Sequence, residues 1–335
     1  MFSKVIKEDN IRETKKIISS AQNILITAHI SPDGDALGAS LGLWHYLSAK
    51  GKEATMMVPN RYPEFYDWMP GIANVMIMEE NKQQSIAAIK QADLIFCLDY
   101  NSFDRVNGMK PILEQSKASK ILIDHHLNPE IDAVVTISHP SISSTSELIF
   151  RLICRMEGYQ DMSLEAAQCI YTGMMTDTGG FTYNSNNREI YTIIGYLIDK
   201  GVDKDDIYRK VFNTYSEHRL RLLGYCLTKM EILEDCNTAI ISLTQEELKR
   251  FNHKIGDTEG FVNMPMQIKN VNRSVFVRED KDKVKLSFRS QGNTPVNTLA
   301  ECFGGGGHIN AAGGESYVDM EQTLVRLRAI LRAYN

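Results

Sequence analysis

The chain has 335 residues, 37 Lys plus Arg against 42 Asp plus Glu, and 43% hydrophobic residues, which excludes the disordered and fibrous classes and leaves room for two cores. Its net charge of -5 speaks against a grip on long duplex nucleic acid, which relies on a basic stripe to displace counterions. The six cysteines at 97, 154, 169, 226, 236 and 302 form no C-x-x-C pair, so buried thiols in a reducing cytosol are expected rather than a zinc ribbon or a disulfide framework. The charged opening MFSKVIKEDNIRETKK and the absence of any uninterrupted run of about 18 apolar residues predict a cytoplasmic protein that does not enter a membrane.

The first 200 or so residues alternate short β-rich runs with helical patterns, which predicts an α/β domain on a parallel sheet. Ile24–Ala28, Leu94–Leu98 and Ile121–Ile123 are near-continuous apolar runs, as strands covered on both faces require. Each ends directly in an ionisable residue: His29, Asp99 and Asp124. Helices are expected over Ala36–Lys50, Ser143–Met156 and Leu164–Met175. Lys204–Glu231 is helical and charge-laced, and reads as a connector. Strands over Thr238–Leu243, Ser274–Arg278 and Val284–Phe288, with a closing helix over Met320–Ala333, predict a second, smaller α/β domain. The expected organisation is a domain over 1–195, a helical linker over 196–232 and a domain over 233–335, with the active site in the cleft between the two domains. All five excess acids fall before residue 233.

The strongest local signal is His29-Ile-Ser-Pro-Asp33-Gly-Asp35, between a strand and a helix. Ligands of parallel α/β sheets bind at the carboxyl ends of strands, where this loop stands. Two carboxylates and an imidazole so close repel or titrate one another unless a cation joins them. The same acids could instead cap the following helix. Asp99 ends a second strand, Asp124-His125-His126 ends a third, and Asp177 closes a helix at the end where a carboxylate meets an unfavourable dipole. Oxygen and imidazole donors without thiolate favour Mn2+ or Mg2+, with Fe2+ or Co2+ next, over structural zinc. Two such ions about 3.5 to 4 Å apart clamp the attacking and leaving oxygens of an in-line phosphoryl displacement.

The order H-x-x-x-D-x-D, D, D-H-H, D resembles the DHH phosphoesterase superfamily, and Gly304-Gly-Gly-Gly-His308-Ile-Asn-Ala-Ala-Gly-Gly314 resembles the glycine-rich motif of its DHHA1 domain. The resemblance spans nearly the whole chain and is strongest to the branch of bifunctional oligoribonucleases and pAp phosphatases, the nanoRNases. It implies a DHH domain carrying two divalent ions, Mn2+ foremost with Mg2+ or Co2+ as alternatives. His29 and Asp33 would bind one ion, Asp35, His125 and Asp177 the other, and Asp99 both. Asp124 would orient a ligating histidine from behind. His126 would contact the scissile phosphate, and Arg105 fits a phosphate-facing position, although it could equally be a solvated arginine.

In the second domain, Gly305, Gly306, Gly307 and His308 would receive an anion on exposed backbone N–H groups, and Arg289-Ser290 resembles a substrate-contacting step in which Arg289 holds a terminal phosphate. The implied reaction is hydrolysis, by a two-metal-activated hydroxide, of RNA or DNA fragments of two to five nucleotides and of 3'-phosphoadenosine 5'-phosphate (pAp). Alternatives are a linear dinucleotide (pApA or pGpG) phosphodiesterase, a pyrophosphatase or exopolyphosphatase, and a non-catalytic nucleotide sensor. A homodimer is compatible with the sequence. Tyr62, Phe65, Tyr66 and Trp68 are expected to form a surface lip.

Overall fold

Runs of aliphatic and β-branched residues bounded by polar turns build the central sheet of the first part of the chain, because strands covered on both faces need no polar side. The structure, a computed structural model, describes residues 4–334, and contacts divide the chain into two units, 1–214 and 215–335. In the first unit the order is α1 (Glu8–Ser20), β1 (Ile24–Thr27), α2 (Gly34–Ala49), β2 (Ala54–Val58), β3 (Val75–Ile77), α3 (Lys82–Gln91) and β4 (Leu94–Leu98). It continues with α4 (Lys110–Gln115), β5 (Ser119–Asp124), β6 (Val135–Ser138), α5 (Thr145–Arg155), α6 (Leu164–Asp177), α7 (Arg188–Asp199) and α8 (Lys204–Phe212). The six strands are all parallel in the order β3-β2-β1-β4-β5-β6. Alternate residues feed opposite cores: Ile24 and Ile26 of β1 enter one and Leu25 the other.

That strand order reverses direction between β1 and β4, and such a switch point opens a crevice at the carboxyl ends of the strands. His29 follows β1 and Asp99 follows β4, so the topology alone brings them together.

The second requirement is close approach of α2 to α6. The two helices run antiparallel, with Gly34 against Thr176, Gly38 against Cys169 and Gly173, and Gly42 against Ile170. A Cβ on Gly38 would lie 2.5 Å from the Cys169 carbonyl oxygen, so only glycine lets the backbones meet there. The electropositive start of α2 thus meets the electronegative end of α6, which offsets the dipole penalty on Asp177.

In the second unit, α9 (Glu217–Lys229), β7 (Glu231–Leu233), β8 (Thr238–Leu243), α10 (Gln245–Arg250), β9 (Arg273–Glu279) and β10 (Val284–Ser290) come first. They are followed by α11 (Asn297–Glu301), β11 (Gly306–His308), β12 (Ala311–Ser316) and α12 (Met320–Ala333). Its sheet runs β11-β12-β10-β9-β8-β7, with β8 and β9 parallel and the other pairs antiparallel. The helical segment between the domains is shared out: α8 buries Ile207 and Val211 in the first core, whereas α9 buries Leu222 and Cys226 in the second unit.

One expectation changes. Tyr62 and Tyr66 form no surface lip, since both are buried in the first core, where their rings gain more than at a water-facing edge. The glycine run lies in a β-hairpin at the edge of the second sheet, where Gly306–His308 pairs with Ala311–Ala312–Gly313. All six cysteines are free. No helix among the described residues is long and apolar enough to cross a membrane.

Gly173 tests the link between packing and site. A Cβ there would fall 1.9 Å from Ser146 Oγ and 2.9 Å from Asp35 Oδ1. Gly173→Ala should therefore cost about 1–3 kcal/mol in chemical denaturation, the usual range for overpacking, and should weaken Mn2+ binding. Gly195→Ala, on α7 with open space around the added methyl, should gain about 0.5–1 kcal/mol and leave Mn2+ binding unchanged.

Candidate metal centre

The carboxyl end of the first sheet gathers His29, Asp33, Asp35, Asp99, Asp124, His125, His126 and Asp177 into one cluster. Asp99 is its hinge. One of its oxygens, Oδ2, lies 3.4 Å from His29 Nε2, and the other, Oδ1, lies 3.6 Å from His125 Nε2. His29 Nε2 is also 3.8 Å from Asp33 Oδ1. His125 Nε2 is also 3.9 Å from Asp35 Oδ2 and 3.6 Å from Asp177 Oδ2. Two donor sets therefore form, His29–Asp33–Asp99 and Asp35–His125–Asp177, with Asp99 presenting an oxygen to each.

Most of these separations are too long for hydrogen bonds. Ligand atoms sharing an ion at about 2.1 Å lie about 3.0 to 3.5 Å apart, so a small contraction would bring either set onto a divalent cation. The donors are hard oxygens and imidazoles, and Asp35 and Asp99 are 1% and 2% exposed. Buried carboxylates at such spacing need a cation, and the donor set fits one of the oxygen-preferring metals.

Protons take that place when metal is absent. Burial opposes charge on His29, but Asp33 and Asp99 outweigh it and raise the imidazole to about 10. Burial likewise opposes charge on His125, and Asp177, Asp99 and Asp35 raise it to about 9. Asp35 is pushed well above the usual carboxylate range by burial and by the charges of Asp99 and Asp177. Asp33 is held low by His29 and by the backbone N–H groups of Ala36 and Asp35, although burial works the other way. Asp33 thus serves both readings of its loop: its Oδ1 caps α2 and also faces His29.

Asp124 differs from expectation in its partner. Its Oδ1 lies 2.7 Å from Nδ1 of His126, the histidine expected against phosphate, whereas His125 turns Nδ1 toward the Ile142 carbonyl at 3.3 Å. The reason is direction: His125 must point back over the crevice to reach Asp35 and Asp177. Asp124 Oδ2 is buried without a hydrogen-bond partner among the described residues. His126 is lowered to about 3, chiefly by burial, with Asp99 opposing and Arg105, His125 and His29 reinforcing the fall. Arg105 is half-buried nearby, and its carbonyl accepts from Ile30 N–H at 2.7 Å, so it also anchors the His29 loop.

Sequence reading missed the role of the start of α5. Thr145 N–H and Ser146 N–H donate to the two oxygens of Asp35 at 2.6 and 2.8 Å, and Thr145 Oγ1 donates to Asp99 Oδ1 at 2.8 Å. The signal there is a helix start, with Ser144 capping Glu147 N–H, but nothing local ties it to an acid 110 residues away.

In the second unit, Arg289 pairs with Ala311 and Ala311 with His308, so Arg289 and His308 stand on one row and one face with a small residue between them. Arg289 Nη1 donates to the Phe288 carbonyl at 3.0 Å, and Ser290 Oγ accepts from Asn310 Nδ2 at 2.9 Å. Gly305 and Gly307 are required by packing, since added Cβ atoms would meet the carbonyls of Gly313 at 1.9 Å and Ala311 at 2.6 Å; Gly306 faces open space.

Fold, motif order and centre define a metal-dependent phosphoesterase architecture, and residues 23–174 match the DHH family, N-terminal domain, while residues 240–333 match the DHHA1 domain. The chain belongs to the DHH/DHHA1 phosphoesterase superfamily. A crystal structure of an exopolyphosphatase-related protein from Bacteroides fragilis is 53% identical, covers 99% of this chain and 98% of its own, and superposes with a TM-score of 0.94. The bifunctional oligoribonuclease and PAP phosphatase NrnA of Thermus thermophilus is 27% identical over 327 residues, 97% of this chain and 94% of the relative. RecJ of the same organism, solved in complex with Mn2+, shares the fold at 14% identity and a TM-score of 0.56, over 98% of this chain and 55% of its own.

A metal held by these donor sets would have to displace the protons on His29 and His125. Mn2+ affinity should rise with pH from 6 to about 9, and binding at neutral pH should release protons. Titration calorimetry in buffers of different ionisation enthalpy reads both. Heats independent of buffer and an affinity independent of pH would contradict the assignment.

Proposed function

We propose that this chain uses two divalent ions, Mn2+ foremost, to hydrolyse oligoribonucleotides of two to five residues to mononucleotides, and pAp to AMP. The observation that carries the reading is the division of Asp99 between two complete donor sets. His29 and Asp33 would hold one ion, Asp35, His125 and Asp177 the other, and Asp99 both. Ions bound there supply Lewis acidity toward a phosphoryl oxygen and make water more acidic.

The chain's own groups orient the substrate. Asp124 holds His126 by Nδ1, the imidazole would contact the scissile phosphate, and Arg105 adds positive charge beside it. Arg289, Ser290, His308 and the Gly305–Gly307 backbone would receive a terminal phosphate, with Arg289 able to bind it bidentately. Recognition of an end favours short substrates, because a long polymer offers few ends for its mass. The name and near-full-length match of the Thermus thermophilus relative support this substrate class. The name of the Bacteroides fragilis relative makes polyphosphate the competing substrate to test.

The purified chain with Mn2+ should be given pAp, di- to pentanucleotides, pApA, pGpG, pyrophosphate, polyphosphate and a long single strand. Dinucleotides and pAp should turn over faster than the long strand by on the order of tenfold or more, about 1.4 kcal/mol in the transition state. Faster hydrolysis of polyphosphate, or equal rates on long RNA, would overturn the reading. His308→Ala should raise KM more than it lowers kcat, and Asp99→Ala should abolish metal binding and turnover together.

A further inference from the structure

Behind the metal centre lies a buried ionic network that the reaction just described does not use. Glu147, 1% exposed, and Arg151, 2% exposed, lie one turn apart on α5. Glu147 Oε1 accepts from Arg151 Nε at 2.9 Å and Nη2 at 2.6 Å, and Arg151 Nη2 also donates to Glu189 Oε2 of α7 at 2.8 Å. The other oxygen, Oε2, accepts from Ser143 N–H at 3.2 Å and from Ser143 Oγ at 2.6 Å. Buried ion pairs are weak stabilisers, and apolar residues of similar volume often serve a core as well or better. Stability alone does not account for charge at this place.

What the network grips is the segment 142–146. Glu147 takes hold of it twice, through its carboxylate on Ser143 and through its N–H on Ser144 Oγ at 3.0 Å. On its other side the segment touches three of the metal-centre residues: the Ile142 carbonyl faces His125 Nδ1, Thr145 and Ser146 N–H fix both oxygens of Asp35, and Thr145 Oγ1 bonds Asp99. One short segment thus orients, through backbone groups and the Thr145 hydroxyl, an imidazole and two carboxylates that would otherwise repel each other.

We propose that Ser143 and Glu147, with Arg151 as their brace, are positioning residues that hold segment 142–146 so that Asp35, Asp99 and His125 keep the geometry a divalent ion requires. This rests on reading the cluster as a metal centre. Partners lying behind metal ligands commonly set affinity by ten- to a hundredfold, because a free ligand must be ordered again each time the ion binds.

The test uses the full chain, Mn2+ alone as probe, and two readouts besides activity: calorimetric affinity and the electron paramagnetic resonance spectrum of bound Mn2+. Ser143→Ala removes one hydrogen bond and leaves the ion pair intact. It should weaken Mn2+ binding by about 10- to 100-fold and broaden the spectrum. Ile153→Val, buried in the core on the same helix, serves as the stability control and should leave affinity and spectrum unchanged. Glu147→Gln keeps an acceptor for Ser143 and should bind Mn2+ more tightly than Glu147→Ala; if the alanine variant does not fold, Ser143→Ala carries the test. Unchanged affinity and spectrum in Ser143→Ala would overturn the inference while leaving the metal centre standing. Failure of the unaltered chain to bind Mn2+ would overturn the metal centre and this inference with it.

Discussion

Four carboxylates and two imidazoles make up the two donor sets in one crevice, and the rest of the first unit is arranged to make that tolerable. Asp99 bears the conflict most directly. It sits at the end of β4 with φ of 63°, a left-handed conformation that costs a non-glycine residue on the order of 1–3 kcal/mol. That backbone turn goes with one oxygen toward His29 and the other toward His125. Strain of this kind persists only where its surroundings over-determine it, and here they do. The Asp99 N–H donates to the Ile123 carbonyl at 3.1 Å, and Thr145 bonds its carboxylate.

The supports form a hierarchy. The strand order puts β1 and β4 side by side with their carboxyl ends open. Glycines at 38 and 173 let α2 and α6 touch backbone to backbone, which brings the start of one helix, with Asp35, against the end of the other, with Asp177. The N-terminus of α5 then supplies two backbone donors to Asp35, so a carboxylate repelled by Asp99 and Asp177 is fixed by hydrogen bonds before any ion arrives. Each layer would be wasted without the one beneath it: misplace the helices by the width of a methyl group and the donors no longer converge. As a ligand set, these preplaced side chains would spend little of a metal's binding energy on being ordered.

Much of this is legible in the sequence because the signals are local. His29, Asp99 and Asp124 each follow an unbroken apolar run, and Asp177 closes an amphipathic helix, so their placement at element ends needs only periodicity and the dihedral habits of strands. The resemblance to a known motif order adds the grouping. What escapes is what depends on register between distant segments. Ser143, Thr145 and Glu147 look like an ordinary helix start, and their grip on Asp35 appears only when α5 lies beside α2. Asp124 was expected behind a ligating histidine and stands behind His126 instead, since which of two adjacent imidazoles turns back is decided by packing. The aromatic run from Tyr62 to Trp68 reads as a surface lip, yet Tyr62 and Tyr66 close the core. The strand pairing of the glycine run is not legible, because pairing through glycine leaves no hydrophobic alternation to detect.

If Asp99 joins two ions in one centre, the ions must sense each other. Mn2+ titration followed by electron paramagnetic resonance tests it most directly, because two manganese ions joined by a carboxylate are magnetically coupled and isolated ions are not. Two ions per chain and a coupled spectrum are expected, with Asp99→Asn losing the coupling and at least one of the ions. A single uncoupled ion in the unaltered chain, or a coupled pair that survives Asp99→Asn, would contradict it.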